Sequence, residues 1–137
     1  MKKIIAGLCL VASLSMPVCG SEVKSYTDND LYVLSHLICG EAEGCCWDMK
    51  VSVGSVVLNR VKDSRFPNTI EEVVFQPGQY SCTWDGNYYR EPSEDTISAA
   101  KYLLENGSLM DESVIWQAEF IQGNGVYLQI DNMYFCY

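Results

Sequence analysis

Leu31-Tyr32-Val33-Leu34-Ser35-His36-Leu37-Ile38-Cys39-Gly40-Glu41-Ala42-Glu43-Gly44 is an amphipathic helix with an acid on its apolar side. Advancing about 100° per residue places Leu31, Leu34, Leu37, Ile38 and Ala42 on one stripe, with Glu41 between Leu37 and Leu34. A carboxylate in that setting is costly. Burial disfavours its charged form, so the group can hold a proton near neutral pH and donate it. Glu43 falls beside Tyr32 and His36 on the other face and reads as a solvated surface charge. Glu41 is therefore the candidate acid, and its bland alternative is an ion pair with Arg60 or Arg65.

The residues around this helix set the fold class. Thr27 or Asp28 can cap it from about Asn29, and Gly44 ends it after Ala42. A second helix, from about Trp47 to Val61, carries Val53, Val56, Val57, Leu58 and Val61 over a broad arc, so it is largely buried, with Gly54 allowing close packing. Asn59 and Arg60 at its end read as capping or loop-holding residues. Thr69-Ile70-Glu71-Glu72 is a capping box that starts a short third helix through Phe75. Pro77-Gly78 marks a turn, and Gln79 to Trp84 reads as extended. Pro92-Ser93 opens a fourth helix with Ile97, Ala100, Leu103 and Leu104 on its packing side. Strands are expected at Ser113 to Gln117, Val126 to Ile130 and Met133 to Tyr137, the last two joined through Asp131-Asn132. The fold class is α+β, with helices first and a small antiparallel sheet at the end.

Composition narrows the function. The chain has 137 residues, 9 basic and 18 acidic, for a net charge of −9. Met1-Lys2-Lys3, an apolar run from Ile4 to about Leu14, and Ser15-Met16-Pro17-Val18-Cys19-Gly20 have the layout of a signal peptide over residues 1–20, followed by a linker at 21–28. The run is too short for a comfortable membrane span, and Met16-Pro17-Val18 is a poor lead-in for a lipidated Cys19. Removing the leader takes two lysines, leaving seven basic residues against 18 acids and a net charge of −11. No cluster of Lys or Arg remains to follow a phosphate backbone, which argues against nucleic acid as a partner. Cys39, Cys45, Cys46, Cys82 and Cys136 then read as disulfide formers in an exported domain. The preferred pairing joins Cys45 or Cys46 to Cys82, and Cys39 to Cys136. With one histidine and no Cys-x-x-Cys pair, a zinc site is disfavoured.

Four ordered motifs carry a resemblance. Gly40-Glu41-Ala42, then Val53-Gly54-Ser55-Val56-Val57-Leu58-Asn59-Arg60-Val61, then Ser64 to Ile70, then Gln76-Pro77-Gly78-Gln79-Tyr80-Ser81-Cys82 are similar to the SleB/CwlJ-type cell wall hydrolases, which include the spore cortex-lytic enzymes. The likeness runs from about Leu31 to the C-terminus, making 29–137 the catalytic domain. Cys39 departs from it, standing where the family often has an aromatic residue. The resemblance implies a lysozyme-like or lytic-transglycosylase-like fold acting on peptidoglycan glycan strands, with Glu41 as catalytic acid and neither metal nor organic cofactor. It favours a transglycosylase that needs one protein acid. Gln79, Tyr80, Ser81 and Trp84 become the expected substrate contacts, with Tyr88 and Tyr89 as further stacking candidates and Ser81 as a partner for either the acid or the acetamido group. A hydrolase would need a second carboxylate, for which Asp85 and Asp48 are the candidates. A secreted, monomeric enzyme is the expectation. Two readings compete with it: a wall-binding module that has lost the reaction, and an amidase or endopeptidase built on Cys39 and His36.

Overall fold

The computed structural model describes residues 25–137; the segment read as a leader at 1–20, with Cys19, and the first half of the expected linker lie outside the described residues. The helices are α1 (Asp28–Ala42), α2 (Trp47–Lys62), α3 (Ile70–Val74), α4 (Cys82–Asp85) and α5 (Glu94–Asn106), with a 3-10 turn at Asn87–Tyr89 between the last two. Three strands follow, β1 (Trp116–Ala118), β2 (Val126–Ile130) and β3 (Met133–Cys136). The α+β expectation holds, helices first and sheet last. Among the described residues no helix is long and apolar enough to cross a membrane.

Thr27 caps α1 through a complete capping box with Asp30, which satisfies two amides that the helix itself leaves unpaired. Leu34, Leu37 and Ile38 then pack with Val53, Val56 and Val57 of α2 and with Ala99, Ala100 and Leu103 of α5, all fully buried. Gly54 lies where α2 packs closely on both neighbours. A Cβ there would lie 2.4 Å from Leu103 Cδ1 and 3.0 Å from Ile38 Cδ1, so only glycine lets α2 approach both neighbours.

The sheet is antiparallel in the order β1-β3-β2, with Gln117 and Leu128 both facing the buried Phe135 of the central strand. The chain reverses between β2 and β3 at Asp131, whose φ of 50° is left-handed, a region that Asp tolerates better than most residues.

Two segments depart from expectation. Gln79 to Trp84 is a turn running into α4, not a strand. The alternation that suggested a strand is real, since Tyr80 and Cys82 are buried while Gln79 and Ser81 are exposed. Local hydrogen bonds produce it: Thr83 N–H donates to the Tyr80 carbonyl at 3.1 Å and Asp85 N–H to that of Ser81 at 3.0 Å. The first strand starts at Trp116 instead of Ser113. Upstream, Asn59 Nδ2 donates to the Asp111 and Val114 carbonyls at 2.8 and 2.9 Å, and Arg60 Nε to that of Ile115 at 2.8 Å. Those carbonyls are thereby withdrawn from the sheet. Asn59 and Arg60 do hold a loop, but one that lies about fifty residues further along the chain.

The expected disulfides are not formed. Cys39, Cys45, Cys46, Cys82 and Cys136 are all free, with Cys45 and Cys46 exposed and the others buried. Cys39 Sγ lies 3.8 Å from the Arg90 carbonyl, Cys82 packs against Gly40 of α1, and Cys136 sits in the central strand between Trp116 and Val126. Each buried thiol thus packs against neighbours other than its intended partner.

Candidate active site

Glu41 opens into a groove of about 400 Å³. One segment, Gly78 to Trp84, lines it with Gln79, Tyr80, Ser81 and Trp84; a second, Gln117 to Phe120 with Met133, completes it. All five side chains expected at the site are therefore brought to one concavity. The turn before α4 and α4 itself do this, placing exposed Gln79 and Ser81, and then Trp84, beside the buried Tyr80. Trp84 is 62% exposed and Phe120 63%, giving the groove two accessible aromatic faces. Phe120, Gln117 and Glu119 were not read from the sequence, because they sit on a strand end and loop without any motif.

Burial raises the pKa of Glu41, hydrogen bonding from the thiol and backbone N–H of Cys82 pulls it back, and the charge of Asp85 raises it again. The balance lies above the ordinary carboxyl value, as a proton donor near neutral pH requires. Neither arginine neutralises it: Arg65 is paired with Asp63 at 2.6 Å, and Arg60 is engaged by the Ile115 carbonyl. The hydrogen-bonding partner of the acid is Cys82, which leaves Ser81 with the acetamido group of a sugar as its remaining expected contact. The same contact explains the free thiol, which burial and the neighbouring Glu41 hold in its protonated form.

Tyr80 is buried beneath the groove. Its phenol is pushed up to about 12, by burial first and by the negative charge of Glu41 next among the raising causes, against the opposing charge of Arg60. The Tyr80 hydroxyl and Gln117 Oε1 are buried with no hydrogen-bond partner. Tyr88 is not a stacking surface. It is buried edge-on against Phe75 at 5.0 Å and Tyr89 at 5.2 Å. Tyr89 is exposed but does not line the groove. Of the two acids considered as a second carboxylate, Asp85 lies near enough to Glu41 to affect its titration, whereas Asp48 lines a separate hollow with Val51, Leu109 and Tyr127. The cysteine alternative has no support in the geometry. His36 Nδ1 is bound to the Tyr88 carbonyl at 2.8 Å, and burial raises the Cys39 thiol away from the thiolate that nucleophilic attack needs.

Glu43 is not the free surface charge expected. Its Oε1 accepts from Ser93 N–H at 3.0 Å and its Oε2 from the Thr96 hydroxyl at 2.7 Å, so it ties the end of α1 to the start of α5. Burial acts to raise its pKa, but the hydrogen bonds from Ser93 and Thr96 outweigh it and hold the carboxyl at about 2. This contribution is present above the ordinary carboxyl value of 4.5 and is lost as pH falls towards about 2. Glu43→Ala is expected to cost about 1–2 kcal/mol at neutral pH. Urea unfolding at neutral and acidic pH checks this: the cost should shrink with acidification.

The comparisons with known proteins agree with this architecture. A family model described as Cell Wall Hydrolase matches residues 48–136. The spore cortex-lytic enzyme of Bacillus cereus strain ATCC 14579 is 36% identical over 82 residues, 60% of this chain and 30% of that protein. The spore cortex-lytic enzyme of Bacillus subtilis strain 168 is 33% identical over 91 residues, 66% of this chain and 30% of that one. The chain thus spans under a third of the length of these curated relatives. Among solved structures, the catalytic domain of the germination-specific lytic transglycosylase SleB from Bacillus anthracis superposes with a TM-score of 0.72 at 24% identity, covering 84% of this chain and 99% of that domain. The Bacillus cereus SleB catalytic domain gives the same score and identity, with 94% of it covered. The shared fold and a family match over most of the described residues lead to one conclusion: this chain belongs to the cell wall hydrolase family.

Proposed function

We propose that this protein cleaves the glycan strands of peptidoglycan as a lytic transglycosylase, with Glu41 as its single acid and base. The observation that carries the reading is one half-buried carboxyl with a raised pKa, opening into a groove flanked by the exposed rings of Trp84 and Phe120. Sugars present apolar ring faces and hydroxyl edges, which the two aromatics and the polar Gln79 and Ser81 complement. The likeness to spore cortex-lytic enzymes and to a lytic transglycosylase domain supports the same substrate class. The family match begins after Glu41, so the role of this residue rests on its place in the groove.

Glu41 gives its proton to the glycosidic oxygen as the bond from that oxygen to C1 of the muramic ring breaks. The resulting carboxylate, stabilised by the Cys82 thiol and N–H, takes the proton of the C6 hydroxyl. The C6 oxygen bonds to C1 and closes a 1,6-anhydro ring, and Glu41 is left protonated for the next turn. Such a substrate lies outside the cytoplasmic membrane. Digestion of purified spore cortex and vegetative peptidoglycan, followed by mass spectrometry, tests the reading. Anhydro-muramyl ends are the expected product. Reducing ends would instead mean attack by water, with Asp85 or Glu119 as the second carboxylate to replace. No cleavage of either substrate, with glycan binding kept by Glu41→Gln, would favour a wall-binding module.

A further inference from the structure

Arg60 is 3% exposed, yet no carboxylate pairs with it among the described residues. Its Nε donates to the Ile115 carbonyl at 2.8 Å, and one terminal nitrogen, Nη1, has no partner. Burying a charge without an opposite charge is costly, and what compensates here is aromatic. The guanidinium carbon lies 5.1 Å from the ring centroid of Phe66, 5.2 Å from that of Tyr80 and 5.8 Å from that of Trp116, all within cation–π range. Tyr80 belongs to the first segment of the groove. Trp116 and Ile115 lead directly into Gln117 and the second. One side chain of α2 thus reaches both segments from below. Trp116 is also packed closely on Gly123, where a Cβ would lie 2.8 Å from its Cδ1 and 3.0 Å from its Nε1.

We propose that Arg60 is a positioning residue that clamps the two groove segments to each other, fixing the spacing of Tyr80 and Gln117 beside Glu41. This rests on the reading of the groove as a glycan site. The planar fork is what the role requires: its faces meet the rings while an edge bonds a carbonyl, a combination lysine cannot reproduce.

Two variants and two measurements test the clamp. Arg60→Met fills the space among the three rings but removes the charge and the carbonyl bond, and Arg60→Lys restores the charge alone. On glycan strands, kcat/KM is expected to fall by about 10-fold to 100-fold in Arg60→Met, through both a higher KM and a lower kcat, with Arg60→Lys between it and the parent. The pH limb that reports Glu41 should stay where it is in the parent. In hydrogen exchange, amides of 79–84 and 116–118 should lose protection together by at least about 10-fold, while those of α1 and α5 keep theirs. Parental kcat and KM with parental exchange in both segments would overturn the clamp. So would exchange that rises uniformly through the chain, which would make Arg60 a core residue only. If the parent cleaves no glycan, the proposed function fails and the exchange pattern alone decides the clamp. If Arg60→Met does not fold, Arg60→Lys is read by the same criteria.

Discussion

Glu41→Gln is expected to reduce glycan cleavage by about 100-fold to 10,000-fold, the usual contribution of a positioned general acid, and to make the protein more stable at neutral pH. The first effect follows from removing the proton while keeping the shape. The second follows from the direction of the pKa shift. Burial raises the pKa of Glu41 above its value in an unfolded chain, so the folded state holds the proton more tightly. The stabilisation this represents is fully present below the ordinary carboxyl value of 4.5 and is lost as pH rises through the folded value. Gln has no such dependence. The Tm of the variant should therefore exceed that of the parent at neutral pH, and the gap should close as pH is lowered to about 4. Activity and Tm measured on the same preparations check both effects. An inactive variant with no Tm gain would point to a folding defect and remove the support for Glu41 as the acid. Activity near the parental rate would end the mechanism.

The helical half was legible because its signals are local. The capping box at Thr27, the apolar stripe of α1 and the broad arc of α2 each follow from residues within a few turns of one another, and Gly54 sits where the pattern placed it. Glu41 could be found because it violates that pattern, as functional residues often do. The failures share a cause in contacts between residues far apart in sequence. Glu43 looks solvent-facing on the helix wheel, but α5 arrives there with two donors that nothing near Glu43 announces. Cys82 was assigned to a disulfide because an exported domain with five cysteines invites it, and only the packing of α4 on α1 reveals its place beside the acid. The late start of β1 depends on Asn59 and Arg60 reaching carbonyls on a distant segment. Phe120 and Glu119 complete the groove from a loop with no distinguishing composition.

Gly40→Ala is the second substitution expected to have a large effect, and two opposing terms decide its sign. Within a helix, alanine is favoured over glycine by about 1 kcal/mol, so on propensity alone the change would stabilise α1. Packing opposes it: the new Cβ would lie 2.6 Å from Cys82 Cβ and 2.8 Å from Cys82 Sγ, with the Tyr88 Cα at 3.5 Å. Cys82 is buried and its Cβ is fixed to the backbone, so relief requires moving α4, not turning a rotamer. Overpacking of this kind costs about 1–3 kcal/mol, enough to cancel or exceed the helix gain. Because α4 carries Trp84 to the groove and Cys82 to the acid, its displacement should also reduce glycan cleavage, by about 10-fold to 100-fold for a shift approaching 1 Å. Chemical denaturation and kinetics of Gly40→Ala, Cys82→Gly and the double variant form a cycle that isolates the contact. Removing the Cys82 side chain should cancel the steric penalty, so the double variant should be more stable than the two single costs added together. Activity should stay low, since the thiol that faces Glu41 is gone. Simple additivity, or a Gly40→Ala protein as stable and active as the parent, would show that α4 yields without cost, and the close approach of Cys82 to α1 would then have no part in holding Glu41.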